Sequence, residues 1–198
     1  MAKASVRKIH ASRKKLMDGV ELVTPGDEAL VTEKIAKKIE SKKGILLDIS
    51  MGGKPQPRSV TLGPAGDVKH DPRKTPFPLP KECVHTAVVT HVLEYLEPAQ
   101  FFGWFDELHR VVQPYGTVYV SGPYGGDESW GWLSDPTHKT RVLEQSFAWL
   151  DPRTPLYKEH ERVGRKTPKP WWPLTLARVP GVDGTISYNV MLQKRVTP

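Results

Sequence analysis

The chain has 198 residues, of which 38% are hydrophobic and 26% charged, enough for one α/β domain with a real core and some tails. A single cysteine, Cys83, excludes an internal disulfide framework and a zinc site made of cysteines, and it fits a reducing cytoplasm. The formal net charge of +7, crowded at residues 3–15, 34–43 and 162–169, favours acidic partners, nucleic acid among them, although solvated helix faces and tails produce the same pattern. No apolar run reaches the roughly 18 residues of a membrane span, and MAKASVRKIHASRKK lacks the apolar stretch of a secretory signal. The expectation is a cytoplasmic protein with no membrane partner and no metal site.

In chain order, residues 1–28 read as a basic arm, a possible contact for nucleic acid, and residues 29–198 as a single domain. ALVTEKIAKKIES (29–41) places Leu30, Ile35 and Ile39 roughly on one face of an amphipathic helix, and Gly44 stands where its C-cap is expected. GILLDIS is an apolar run of strand length ending in a carboxylate, followed by the loop chemistry of MGGKPQPRS. Short strands are predicted at Val60–Leu62 and Asp67–His70, with Asp71 just past the second. DPRKTPFPLPKE holds too much proline for regular structure. The β-branched VHTAVVT (84–90) reads as a buried strand.

Residues 97–112 form a predicted helix, with Pro98 in its first turn and Phe101, Phe105, Leu108 and Val112 on one face. Pro114-Tyr115-Gly116 turns the chain into the strand TVYVSGP. GGDESWGWLSDPTHK is a polar and aromatic loop, RVLEQSFAWL (141–150) a helix, and Lys158–Pro170 a basic linker. Trp172–Val179 and Thr185–Lys194 close the chain as two strands. Strands and helices in this order predict a mostly parallel sheet.

An apolar strand, a carboxylate and a glycine-bearing loop, here Ile45–Ile49, Asp48 and Ser50-Met51-Gly52-Gly53, form a cofactor signature. In such sheets the ligand lies at the carboxyl ends of strands, and glycine lets the backbone approach it. Taken alone, Asp48 is equally well read as a turn residue.

The pieces that follow carry a resemblance. LDISMGGKPQP is similar to the LDxGxGxxP start of class I S-adenosylmethionine (SAM) dependent methyltransferases. GDVKHDPRKTPFPLPKECVHTAVVTHVLEYL and FFGWFDELHRVVQPYGTVYVSGPY resemble later stretches of that family, and DPTHK with a following helix occurs in one small, single-domain branch of the methyltransferase-type-11-like kind. The resemblance runs from about Gly44 to Leu150. It implies a Rossmann-like α/β fold, a mostly parallel sheet flanked by helices with an antiparallel C-terminal hairpin, and SAM as cofactor. By the same resemblance Asp48, Ser50, Gly52 and Gly53 cradle the methionine part of SAM, and Asp71 faces the adenine amino group. Thr90 and His91 lie beside the sulfonium. For an acceptor that must lose a proton, His91, Asp135 and His138 are the candidate bases.

Two departures stand out. Ser50 replaces a usual glycine, and Leu62-Gly63 occupies the place of the acidic residue that serves the ribose hydroxyls. The implied function is methyl transfer from SAM to an unidentified acceptor. The alternative is a methyltransferase-like binding protein without catalysis, acting through its basic arm on nucleic acid or a protein. A nicotinamide-dependent oxidoreductase is disfavoured, because the GxGxxG turn is absent. Other residues have plainer readings. His91 can bond loop backbone, and Asp135 with His138 can form a local turn network. Tyr124, Trp130 and Trp132 can stack on a flat substrate or cover the core. Glu107 and Arg110 read as a surface pair.

Overall fold

The computed structural model describes residues 35–37, 44–51, 54–126, 130–181 and 184–196. The basic arm, most of the predicted 29–41 helix, Gly52 and Gly53 lie outside the described residues. Residues 35–37 are helical, and Ile35 joins the buried core at 2% exposure.

The strands are β1 (Ile45–Ser50), β2 (Val60–Gly63), β3 (Val68–Lys69), β4 (Val84–Thr90), β5 (Val112–Pro123), β6 (Trp171–Pro180) and β7 (Ile186–Lys194). They form a sheet of order β3-β2-β1-β4-β5-β7-β6. Pairing is parallel from β3 through β5, whereas β7 runs antiparallel to both β5 and β6. The strand order reverses at β1 and β4, so their carboxyl ends flank the crevice where ligands bind in open α/β sheets. The helices are α1 (Phe101–Val111), α2 (Trp130–Leu133), α3 (Glu144–Ala148) and α4 (Pro155–Arg162).

Side chains alternate across the strands, and the two faces of the sheet differ. Leu47, Ile49, Val89, Val120 and Leu192 share one buried cluster with Phe105 and Leu108 of α1. Burying each such side chain stabilises the fold by about 1.5–3 kcal/mol. On the opposite face the register aligns Ser50 with Thr90 and Thr90 with Ser121. That face is half-buried to open, and Val88, Tyr119, Ser121, Asn189 and Met191 line a shallow depression on it.

Four predicted elements change. Residues 97–112 divide into a 3-10 turn at Pro98–Gln100 and α1, and β5 starts directly after α1 at Val112. The expected turn at 114–116 becomes a bulge inside β5. The pairing passes from Val84↔Val112 to Thr86↔Thr117, and Tyr115 takes φ 61°. The helix expected at 141–150 is confined to Glu144–Ala148.

The expected linker at 158–170 is helical up to Arg162, as the end of α4. Thr154 caps α4 by accepting the Tyr157 N–H at 3.3 Å, and Pro155 supplies the first turn. Tyr157 and His160, three apart, turn inward, and the His160 ring meets those of Phe102 and Trp149.

The proline-rich segment has no regular structure, as expected, yet it is firmly docked. Phe77 and Leu79 are 2% and 3% exposed, and the Trp104 indole N–H donates to Pro72 O at 2.8 Å. Glu107, expected at the surface, is 9% exposed. Its carboxylate accepts the Phe77 N–H and holds Arg110, whose guanidinium also donates to Phe77 O.

Candidate functional site

Asp48 lies near the carboxyl end of β1 and is 3% exposed. A buried carboxylate needs donors. Ser50 Oγ donates to Oδ1, and the Gln56 N–H donates to Oδ2 at 2.7 Å. The second bond folds the loop leaving β1 back onto the strand end. Met51 N–H reaches across to Thr90 O at 3.1 Å and ties that loop to β4. Asp48, Ser50 and Thr90 therefore stand together, at the place where the strand order reverses.

His91 follows with φ 54°, a left-handed conformation that costs a non-glycine residue about 1–2 kcal/mol. Its N–H is held by Ser121 O at 3.0 Å. The ring is half exposed, and Nδ1 lies 2.9 Å from Oε1 of the fully buried Glu94. The Glu94 hydrogen bond and charge raise the His91 pKa above its ordinary value, against the opposing effect of burial.

Asp135 and His138 lie in a neighbouring loop with its own network. Asp135 accepts from Thr137 N and Oγ1 at 2.8 and 2.6 Å, and from Tyr95 OH at 3.1 Å. The Thr137 bonds lead in lowering its pKa, which makes it a weak base. The His138 side chain is 5% exposed; Nδ1 is 2.8 Å from Trp132 O, and the ring packs against Tyr95 and Trp132. The loop is fastened beside His91, since Lys139 and Thr140 N–H groups donate to Glu94 O at 2.7 and 3.1 Å. Of the three candidate bases, His91 has the open ring.

Asp71 stands past β3, and its carboxylate is clasped by Arg73 through Nε at 3.0 Å and Nη2 at 2.9 Å. That bond lowers its pKa. At the end of β2, Leu62 is buried, and a Cβ on Gly63 would meet nothing within 4 Å. Asp67 is already used locally, accepting the Thr61 N–H at 3.0 Å. Tyr124 is buried at 6% with the Arg178 guanidinium 4.4 Å from its ring centre, whereas Trp130 is 57% exposed. Among the described residues no cluster of His, Cys, Asp and Glu could hold a metal, and no helix is long and apolar enough to cross a membrane.

Sequence reasoning gave Glu94 no role and passed over Tyr95 and Tyr188. The first two sit in a 3-10 turn within the family-like stretch ending VLEYL, which assigns them no contact, and Tyr188 is one more inward residue of an alternating strand.

Reversal of the strand order at β1/β4 and an antiparallel β7 between β5 and β6 define a class, the Rossmann-like methyltransferase fold. No protein-family model matches the sequence, and no curated protein matches it. Solved structures do. The 1,6-didemethyltoxoflavin-N1-methyltransferase of Burkholderia thailandensis, solved with bound 1,6-didemethyltoxoflavin and S-adenosylhomocysteine, matches with TM-score 0.51 and 11% identity over 98% of this chain and 87% of its own. A candidate methyltransferase of Bacillus halodurans matches with TM-score 0.50 and 11% identity over 83% of this chain and 100% of its own. At such identity the likeness concerns the fold. The chain has the Rossmann-like class I methyltransferase fold that these two structures share.

Proposed function

We propose that this protein is a SAM-dependent methyltransferase acting on an unidentified acceptor in the cytoplasm. The observation that carries the reading is the meeting of Asp48, Ser50, Thr90 and His91 at the carboxyl ends of β1 and β4. Cys83 is a buried free thiol, its pKa pushed up to about 12 chiefly by burial.

The residues present suit the methionine end of SAM. Asp48 closes its loop with one bond on each oxygen, and a carboxylate has lone pairs for more. In this reading Asp48, Ser50, Gly52, Gly53 and Thr90 hold the methionine part, and Asp71 takes the adenine side. When bound, SAM supplies an electrophilic methyl group on a sulfonium. The chain's part is alignment, which supplies much of the rate in such transfers, and proton removal. His91 Nε2 takes the proton lost by the acceptor's nitrogen or oxygen and passes it to water. Asp135 and His138 belong to the acceptor-side loop, and its exposed Trp130 offers a flat apolar surface.

A second reading has one specific support. No carboxylate stands at Leu62-Gly63, Asp67 is spent on Thr61, and Asp71 is clasped by Arg73. A binding protein of this fold without catalysis, reaching nucleic acid or a protein through residues 1–28, needs no ribose carboxylate. Calorimetry with SAM and S-adenosylhomocysteine decides between them. Binding at micromolar concentration is expected; no heat from either at high micromolar concentration sinks the enzyme reading. A salt-dependent affinity for RNA or DNA that vanishes on deleting residues 1–15 supports the alternative.

A further inference from the structure

We infer that Glu94 and Tyr188 are positioning residues that hold His91 in the Nδ1–H tautomer with the Nε2 lone pair turned outward. The inference rests on the methyl-transfer reading of the same site.

Glu94 lies in the 3-10 turn Leu93–Tyr95 and is 0% exposed. One oxygen, Oε1, is 2.9 Å from His91 Nδ1. A carboxylate oxygen at that distance accepts, so Nδ1 carries the hydrogen and Nε2 is left as the proton acceptor. The other oxygen, Oε2, is buried without a protein partner, and so is the hydroxyl of Tyr188, itself 0% exposed.

These two orphaned groups border the same small space. A Cβ added at Gly122 would lie 2.7 Å from Tyr188 OH and 3.1 Å from Glu94 Oε2. Glycine at 122 therefore makes room for both oxygens at the end of β5. A buried carboxylate left with one bond is costly, and a buried phenol needs an acceptor. Each supplies what the other lacks, with the phenol O–H donating to Oε2 through one water in that space. Burial and then the Glu94 charge push the Tyr188 pKa well up, which keeps the hydroxyl a donor.

The arrangement has the logic of a base oriented by a buried acid. It also couples the base to the acceptor side, because the Glu94 carbonyl receives the Lys139 and Thr140 N–H groups. One residue thus fixes the ring by its side chain and the loop by its backbone.

The test is a histidine-labelled NMR titration of the full chain, with the His91 signals assigned by His91→Asn. Long-range proton–nitrogen correlations report both tautomer and pKa. Wild type is expected as the Nδ1–H tautomer. Glu94→Gln should lower the His91 pKa by about one unit or more, a tenfold change in proton affinity. Tyr188→Phe should shift it by at least a few tenths of a unit, because the charge that His91 meets is altered. An Nε2–H tautomer in wild type overturns the inference, and this arm needs no variant to fold. A His91 titration unchanged in folded Glu94→Gln overturns the role of Glu94; one unchanged in folded Tyr188→Phe overturns that of Tyr188. SAM calorimetry is independent of these readouts. Absent SAM binding with the expected tautomer removes the enzyme reading alone, and the wrong tautomer with SAM bound removes this inference alone.

Discussion

Oε1 of Glu107 accepts the backbone N–H of Phe77 at 2.7 Å, although thirty residues separate them. The bond joins α1 to the proline-rich segment, and Arg110 completes it by donating to Phe77 O at 3.0 Å. Glu107→Ala leaves a buried N–H and a half-buried guanidinium without their acceptor. The expected cost is about 2–4 kcal/mol, read from the midpoint of urea unfolding. A loss under about 0.5 kcal/mol, the range of ordinary surface substitutions, shows that the pair is not structural.

Asp48 holds the loop after β1 through the Gln56 N–H. Asp48→Asn keeps the size and removes the charge. Affinity for S-adenosylhomocysteine should fall roughly tenfold or more, about 1.4 kcal/mol per decade, with a native far-ultraviolet spectrum retained. Unchanged affinity in calorimetry means that this loop does not carry the cofactor.

Gly63 ends β2 with open space around its Cβ position. Gly63→Asp should therefore be accepted without strain and place a carboxylate where the family resemblance expects one. If SAM binds as proposed, charge-assisted hydrogen bonds to the ribose should tighten it roughly tenfold. A weaker complex from a folded variant rules out the ribose position assigned to Leu62-Gly63.

His109 should make stability depend on pH. Burial first, and then the nearby Lys194 charge, lowers its pKa from 6.5 to about 4. Between those values the unfolded chain binds the proton and the folded chain does not, so stability rises with pH through that window and falls on acidification. His91 is shifted upward and gives the opposite slope, so the comparison must be with a variant. Thermal melts of His109→Gln between pH 4.5 and 7 should show a shallower rise than wild type. Parallel curves would discard the assignment.

The proposed base predicts the shape of a rate profile. Glu94 raises the His91 pKa, and the ring works only when deprotonated at Nε2. Once an acceptor is known, kcat should rise with pH through the raised pKa, and in Glu94→Gln the rise should move to lower pH. A profile that stays in place in that variant removes His91 as the group titrating.

Much of the architecture was legible because its signals are local. Alternation and β-branching mark 84–90, the i, i+4, i+7 spacing marks α1, and the order of elements implies a parallel sheet. The basic run 158–170 was misread because charge and proline masked a helix, although Thr154-Pro155 is an N-cap pair. Within the proposed site, Asp48, Ser50, Thr90 and His91 come together as strand ends must once β1 and β4 pair.

What the sequence by itself determined was the set of elements, their order and the carboxylate and histidine at two strand ends, since periodicity and turn chemistry act over a few residues. Tertiary structure alone decided which polar groups meet. It buried Glu107 under Phe77 and brought Tyr188 from the last strand to the same space beside Gly122 as Glu94. A buried polar group must find a partner wherever the chain passes, and that search is settled by packing across the sheet rather than by neighbours in sequence.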